Sequence, residues 1–332
     1  MQFLKHPAFR WLLSILLLCL IGYQLWLRSD QIHSFRINDI RHAGWYLAAV
    51  LVLMPVNWWL EALKWHGFLS VHSNIPFQRS FKAVTGGIAL SLFTPNRIGE
   101  YGGRLLFMPY AIRWPVVFSR LMSSISQNLI AYSAGVIALI FLFDSFIFIK
   151  VTGIISILLA AFCFFRMRKV VDWICRRKLH PAFIKLANQL SHLSDYKSPL
   201  LGRSLWISLL RYVVYTSQFV LLLHAFEPQI PFGILYMGVS ALYLFQTLVP
   251  MPPVTDVLAR TNLALILWSG TGMSELSISL ASFIVWMINL LVPAILGSLA
   301  IGTIAPKKSF SIHDSDFSPS YEPVVADQPK IN

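Results

Sequence analysis

Three charged residues stand close together in an otherwise apolar part of the chain, and their types favour the binding of an anion. Arg97, Glu100 and Arg104 follow a proline turn, and three glycines lie among them. An arginine fork beside residues without side chains suits a phosphate or carboxylate group. Glu100 and Arg104 also lie on one helix face and can form a salt bridge that holds the segment together. The sequence leaves both roles open.

A second segment repeats this arrangement. Ile-Pro-Phe occurs at 75–77 and at 230–232, and the position 18 residues beyond each Phe is a proline, Pro95 or Pro250. An acid then precedes an arginine by four residues in each copy: Glu100 with Arg104, and Asp256 with Arg260. Charged residues inside membrane segments are costly and usually mark pathways, so the repeat is interpreted as functional.

Other charges in apolar segments receive weaker assignments. Arg120, one to two turns inside its helix, and Glu61 with Lys64, three residues apart, favour a structural role. Arg120 is nevertheless counted with the candidate binding residues. Arg211 has a side chain that can reach the cytoplasmic interface, so it is left out of the candidate site.

The sequence contains no catalytic or metal-binding signature that would point to an enzyme. H-E-x-x-H, G-x-S-x-G, P-loop and dinucleotide fingerprints are missing, and the nine histidines are scattered singly. The three cysteines show no paired spacing. We therefore expect no enzyme activity, no cofactor and no metal. An intramembrane enzyme that uses Glu100 or Asp256 is the weakest alternative.

The elements that position these charges are transmembrane helices. Hydrophobic residues make up 56% of the 332 residues and charged residues 12%, too few to cover a soluble surface. Apolar runs of about 20 residues suffice to cross a bilayer as a helix. The predicted spans are 11–27, 44–63, 115–143, 146–165, 204–225 and 276–302.

Two further apolar runs, 83–95 and 234–249, end in proline turns and are followed by short half-apolar stretches. They predict two re-entrant helical hairpins. The fold class is therefore all-α: a polytopic membrane protein with about six spanning helices and two re-entrant hairpins in an inverted repeat, a plan that recurs in secondary transporters.

The distribution of basic residues predicts the topology. Nine of the 27 Lys and Arg residues lie in 166–203, which is therefore placed in the cytoplasm, together with both termini. The net charge of +13 is thus explained without nucleic acid. We expect a single membrane domain over 1–303, with repeat halves at about 44–143 and 204–302, and a disordered cytoplasmic tail over 304–332.

A family resemblance rests on Pro95, Arg97, Gly99 and Glu100, followed by Arg104. This Pro-x-Arg-x-Gly-Glu run resembles the motif of flippase-like membrane proteins related to the transmembrane part of lysylphosphatidylglycerol synthase, and the resemblance covers about 8–303. The family's second motif, Pro-x-Pro-Gly-Gly with a following acid, is only partly matched, because 250–254 lacks both glycines. The resemblance implies lipid handling in a bacterial inner membrane and does not imply aminoacyl transfer.

The sequence thus predicts a membrane lipid transporter that moves a lipid with a polar or anionic headgroup between leaflets. The alternative is a non-catalytic membrane partner of a lipid- or glycan-modifying enzyme. Its expected partners are a membrane lipid and, in the alternative, another membrane protein. The candidate substrate-binding residues are Arg97, Glu100, Arg104, Arg120, Asp256 and Arg260.

Overall fold

The computed structural model describes residues 37–302 apart from 93, 95–96, 143–145, 168, 170, 172–189, 249–252 and 269. All regular structure in this part of the chain is helical, which confirms the all-α class. The α-helices are α1 (Ile37–Leu69), α2 (Phe77–Ser91), α3 (Gly99–Leu105), α4 (Arg113–Leu142), α5 (Ile147–Phe165), α6 (Ser198–Phe226), α7 (Phe232–Leu248), α8 (Pro253–Trp268), α9 (Glu275–Trp286) and α10 (Val292–Gly302). A π-helical turn, Met287–Leu291, joins α9 to α10.

Five helical segments are long and apolar enough to cross a membrane: Gly44–Leu69, Tyr110–Leu142, Ile147–Phe165, Ser198–Phe226 and Glu275–Gly302. They coincide with five of the predicted spans. The sixth predicted span, 11–27, and the predicted tail, 304–332, lie outside the described residues. Only 6% of the most apolar 18-residue stretch of α5 is buried inside the protein. This helix therefore lies at the periphery and turns most of its side chains outward.

The two predicted interruptions also separate helices in the structure. α2 and α3 have 15 and 7 residues, and α7 and α8 have 17 and 16. At 1.5 Å per residue none of these helices exceeds about 26 Å, short of a hydrocarbon core about 30 Å thick. Between α2 and α3, Arg97 has a φ of 55°, a left-handed conformation that reverses the chain at this point.

Glycines let α3 lie directly on the backbone of α2. A Cβ atom on Gly99 would stand 2.2 Å from the carbonyl oxygen of Leu90, and one on Gly103 would stand 2.5 Å from that of Gly86. Neither distance accommodates a side chain, so both positions require glycine. This close approach carries the charged residues of α3 into the helix bundle.

The bundle is built around α1 and α6, which make the most extensive helix contact in the described part of the chain. α2 packs against α10, and α7 packs against α4. One apolar core forms around α6, α7 and α9, and a second forms around α1 and α2. A third core forms around α4 and the start of α6.

Candidate functional site

Glu61 on α1 is the centre of a buried network of charges. Its Oε1 atom lies 2.9 Å from Nη2 of Arg104, and its Oε2 atom lies 3.1 Å from Nη1 of Arg211. Lys64, one turn further along α1, places its Nζ atom 3.3 Å from Oε2. One carboxylate therefore joins cations from α1, α3 and α6. Because Glu61 is only 6% exposed, these pairs form away from bulk solvent.

Glu100 on α3 extends the network to α4. Its Oε2 atom lies 2.6 Å from Nη2 of Arg120 and 3.5 Å from Nη2 of Arg104. The pair that the i, i+4 spacing of Glu100 and Arg104 predicts is therefore present. The shorter contact, however, is made by Arg120, and Arg104 lies closer to Glu61 than to Glu100. The predicted isolated pair is in fact part of a five-residue chain of charges with Arg211 as a branch.

Cations exceed carboxylates in this network. Glu61 and Glu100 face Lys64, Arg104, Arg120 and Arg211, which gives the network a formal charge of +2. A charge in a membrane interior costs several kcal/mol unless it is paired or hydrated. The excess positive charge is therefore unusual for a cluster with a purely structural role.

Uncharged amides link the network to α4, to α6 and to the π-helical turn. Asn57 donates to Asn289 at 2.7 Å and accepts from Nε of Arg211 at 2.9 Å. The side-chain oxygen of Gln127 accepts from Lys64 at 2.8 Å and from Arg211 at 3.2 Å. Asn289 belongs to the π-helical turn, an irregularity that is frequent at functional sites.

These polar groups lie at the middle of their spans. The midpoints of four of the five candidate spans fall at residues 56–57, 126, 212 and 288–289. Asn57, Gln127, Arg211 and Asn289 each stand within about one residue of the corresponding midpoint. The polar groups therefore meet near the middle of these four helical segments.

A cavity of about 390 Å³ opens onto the network. Among the described residues, its charged lining includes two glutamates, Glu61 and Glu100, and five arginines, Arg97, Arg104, Arg120, Arg211 and Arg260. Aromatic rings fix several of the guanidinium groups. Arg104 lies 4.8 Å from the centre of the Trp65 ring, and Arg260 lies 5.8 Å from that of Tyr243.

An apolar groove of about 540 Å³ adjoins this cavity on the side of α5. It is lined mainly by apolar side chains of α4 and α5, among them Leu129, Ala160 and Phe164. Asn128 and Thr247 line both the groove and the charged cavity. The charged cavity and the apolar groove therefore share these two residues.

The structure brings together most of the residues that the sequence singled out. Arg97, Glu100, Arg104, Arg120 and Arg260 all line the cavity. The side chain of Asp256 lies outside the described residues.

Sequence reasoning misses other members of the site. Arg211, which the sequence leaves out of the candidate site, contacts Glu61 and Asn57 and lines the cavity. Glu61 and Lys64 are not a separate structural pair but part of the network. Asn57 and Gln127 are absent from the predicted site. Their position at the middle of an apolar span is the signal that could have found them.

A bundle of apolar spans around a buried cluster of charges defines a polytopic membrane protein. The comparison with known families agrees: residues 11–297 match the family described as the lysylphosphatidylglycerol synthase TM region, so the chain belongs to this family. Neither a curated protein nor a solved structure matches the chain.

Proposed function

We propose that this protein is a membrane lipid transporter of the flippase-like kind, which passes a lipid with an anionic or polar headgroup between the two leaflets. The headgroup occupies the charged cavity, and an acyl chain follows the adjoining groove. The observation that carries the proposal is the meeting of an arginine-rich cavity at mid-span with an apolar groove at Asn128 and Thr247. A lipid likewise consists of a polar headgroup and apolar acyl chains.

The charges of the cavity favour an anionic headgroup. Among the described residues, Lys64, Arg104, Arg120 and Arg211 share the two carboxylates of Glu61 and Glu100, so an entering phosphate would relieve repulsion among these cations. Within the described part of the chain, Nε and Nη1 of Arg104 and Nε of Arg120 have no hydrogen-bond partner. Phosphate oxygens accept charge-assisted hydrogen bonds from such donors.

The helix packing supports an inverted repeat with two re-entrant hairpins. α2, in the first hairpin, packs against α10 at the end of the second half, and α7, in the second hairpin, packs against α4 at the end of the first half. A pseudo-twofold relation between the halves requires this reciprocal exchange. The short α2–α3 and α7–α8 pairs are then hairpins that enter and leave on one side. With 166–203 in the cytoplasm, both termini lie on the cytoplasmic side of an inner membrane.

We further propose that the protein acts without chemistry. Both carboxylates of the cavity are held by arginines, which favours their role as ion-pair partners over that of a general base. In the alternative, a membrane partner of a modifying enzyme, the charges would only form ion pairs that stabilise the helix packing. That alternative predicts no lipid movement by the protein alone.

Arg211→Gln tests the headgroup site. Glu61 keeps Lys64 and Arg104 as partners when Arg211 is removed, so the fold should tolerate the change. Loss of a hydrogen bond to a charged group costs about 1.5–3 kcal/mol, or about 10- to 150-fold in rate. We expect this loss in the transfer of fluorescent phosphatidylglycerol in proteoliposomes. Arg203→Gln, the same change at an exposed position of α6, is the matched control. Equal rates for both variants and the wild type would contradict the headgroup site.

Ala160→Trp tests the groove. The new ring would fill space between α4 and α5 and should slow lipid transfer without altering the charged cavity. Leu158→Trp is the control, because Leu158 is 64% exposed on the outer face of the same helix. Unchanged transfer by the Ala160 variant would show that the acyl chain does not use the groove.

A further inference from the structure

Two histidines and an aspartate meet at one end of the bundle, away from the charged cavity. His72 follows α1 in the turn before α2, and His192 and Asp195 lie in the segment that leads into α6. One possible metal-ligand atom from each residue lies within 4.8 Å of the other two. His72 and His192 are 120 positions apart in the sequence, so no local motif indicates the cluster.

His72 has no hydrogen bond at either ring nitrogen within the described part of the chain. Its Nδ1 atom lies 3.7 Å from Oδ2 of Asp195, which is too long for a hydrogen bond, and its Nε2 atom is buried without a partner. The side chain is only 10% exposed, so water does not readily satisfy it. The Nδ1 atom, which faces Asp195, is therefore available as a metal ligand.

His192 and Asp195 complete the arrangement from the other side. Nδ1 of His192 lies 3.9 Å from the same Oδ2 atom of Asp195. The ring of His192 packs edge to face with that of His72, with 5.3 Å between ring centres, and Tyr196 packs on His72 at 5.5 Å. These contacts hold both imidazoles beside a single carboxylate.

We propose that His72, His192 and Asp195 bind a divalent first-row metal ion, with Zn²⁺ as the best match. Two imidazole nitrogens and one carboxylate oxygen are common zinc ligands, with bonds of about 2.0–2.2 Å, and a water fills the fourth position. Adjacent ligands of a tetrahedral zinc stand about 3.3–3.5 Å apart. The distances of 3.7 and 3.9 Å from the two imidazoles to Asp195 are close to this value, and the two histidines would move together when the ion binds.

The bound ion would clamp the turn after α1 to the start of α6. These two helices make the central contact of the bundle and belong to opposite halves of the proposed repeat. Metal binding would therefore stabilise the junction of the halves by linking segments that are distant in sequence. The inference does not depend on lipid transport.

Isothermal titration with ZnSO₄ tests the site. The protein should be purified without a polyhistidine tag, treated with a chelator and freed of it. We expect one zinc per chain in the wild type. Asp195→Asn and His192→Asn should each weaken binding by about 100-fold or more, because even loss of an outer partner of a zinc ligand costs 10- to 100-fold. The side chain of Asp195 is 49% exposed, so its replacement should leave the fold intact.

His224→Asn is the control, since this histidine lies near the opposite end of α6 and should bind zinc as the wild type does. Substitution of Co²⁺ should give the visible bands of a four-coordinate site in the wild type and not in the Asp195 variant. The proposal is overturned if the dissociation constant of zinc from the wild type is above about 0.1 mM. Such a constant corresponds to a binding free energy of only about 5.5 kcal/mol. It is also overturned if both variants bind zinc as tightly as the wild type.

Discussion

The contact between Glu100 and Arg120 allows a direct separation of structural pairing from ligand binding. The two side chains are 7% and 13% exposed, and their charged atoms lie 2.6 Å apart. Glu100→Gln alone would leave Arg120 without its carboxylate partner, while Glu61 keeps its contacts with Lys64, Arg104 and Arg211. Adding Arg120→Gln would restore the formal charge of the network to its original value.

The expected magnitudes follow from burial. Removing one partner of a buried ion pair costs about 3–5 kcal/mol, because the remaining charge is left uncompensated. Residues in direct contact show coupling energies of about 0.5–3 kcal/mol, and the short distance here favours the upper part of that range. The double variant should therefore lose about 2 kcal/mol less than the sum of the two single losses. Glu100 with Arg104, at 3.5 Å, should couple more weakly because Glu61 holds Arg104 at 2.9 Å.

Two measurements on the wild type, the two single variants and the double variant distinguish structural pairing from ligand binding. The free energy of unfolding is obtained from SDS titration in mixed micelles, and lipid transfer is obtained from proteoliposomes. We expect the double variant to be more stable than the sum of the two single losses would allow and still to transfer no lipid, because the cavity has lost Arg120. Additive stability losses would refute the pairing. Wild-type transfer by the double variant would refute the role of Arg120 in binding.

Two further predictions concern the hairpin and the topology. Gly103→Ala should lower the free energy of unfolding by about 1–3 kcal/mol, since its Cβ atom would meet the carbonyl of Gly86 at 2.5 Å, whereas Gly102→Ala, with open space around it, should be neutral. Thermal unfolding in detergent distinguishes the two, and equal losses would contradict the backbone contact. Cysteines placed at the exposed positions Lys197 and Pro228, in a background without native cysteines, should be labelled from opposite sides of the membrane. Labelling of both from one side would exclude the proposed orientation.

The spans and the charged motif are predictable from the sequence because lipid imposes strong local rules. A run of about 20 apolar residues is visible in any window, and a charge inside such a run stands out by its cost. Proline and the polar turn residues likewise mark the end of α2 by their local chemistry alone. The helix interruptions and five of the spans therefore follow from local sequence.

The partners of each charge are not predictable in the same way. Spacing reveals Glu100 with Arg104, but Arg120 and Glu61 approach them from other helices, and no local pattern fixes how helices pack. Asn57 and Gln127 are easily overlooked because an uncharged amide costs less in lipid than a charge. Arg211 is left out of the candidate site because its side chain is long enough to reach an interface, and only the helix packing shows its contacts with Glu61 and Asn57.

The most direct test of the account is the transbilayer movement of fluorescent phosphatidylglycerol in proteoliposomes that contain the wild-type protein alone. Dithionite added outside bleaches every label that reaches the outer leaflet, and labelled phosphatidylcholine, whose headgroup carries no net charge, serves as the comparison. The arginine-rich cavity predicts that the protein accelerates the movement of phosphatidylglycerol well above the rate in protein-free vesicles, and more than it accelerates phosphatidylcholine. Rates equal to those of protein-free vesicles for both lipids would contradict transport. They would favour the alternative in which the charges only stabilise the helix packing.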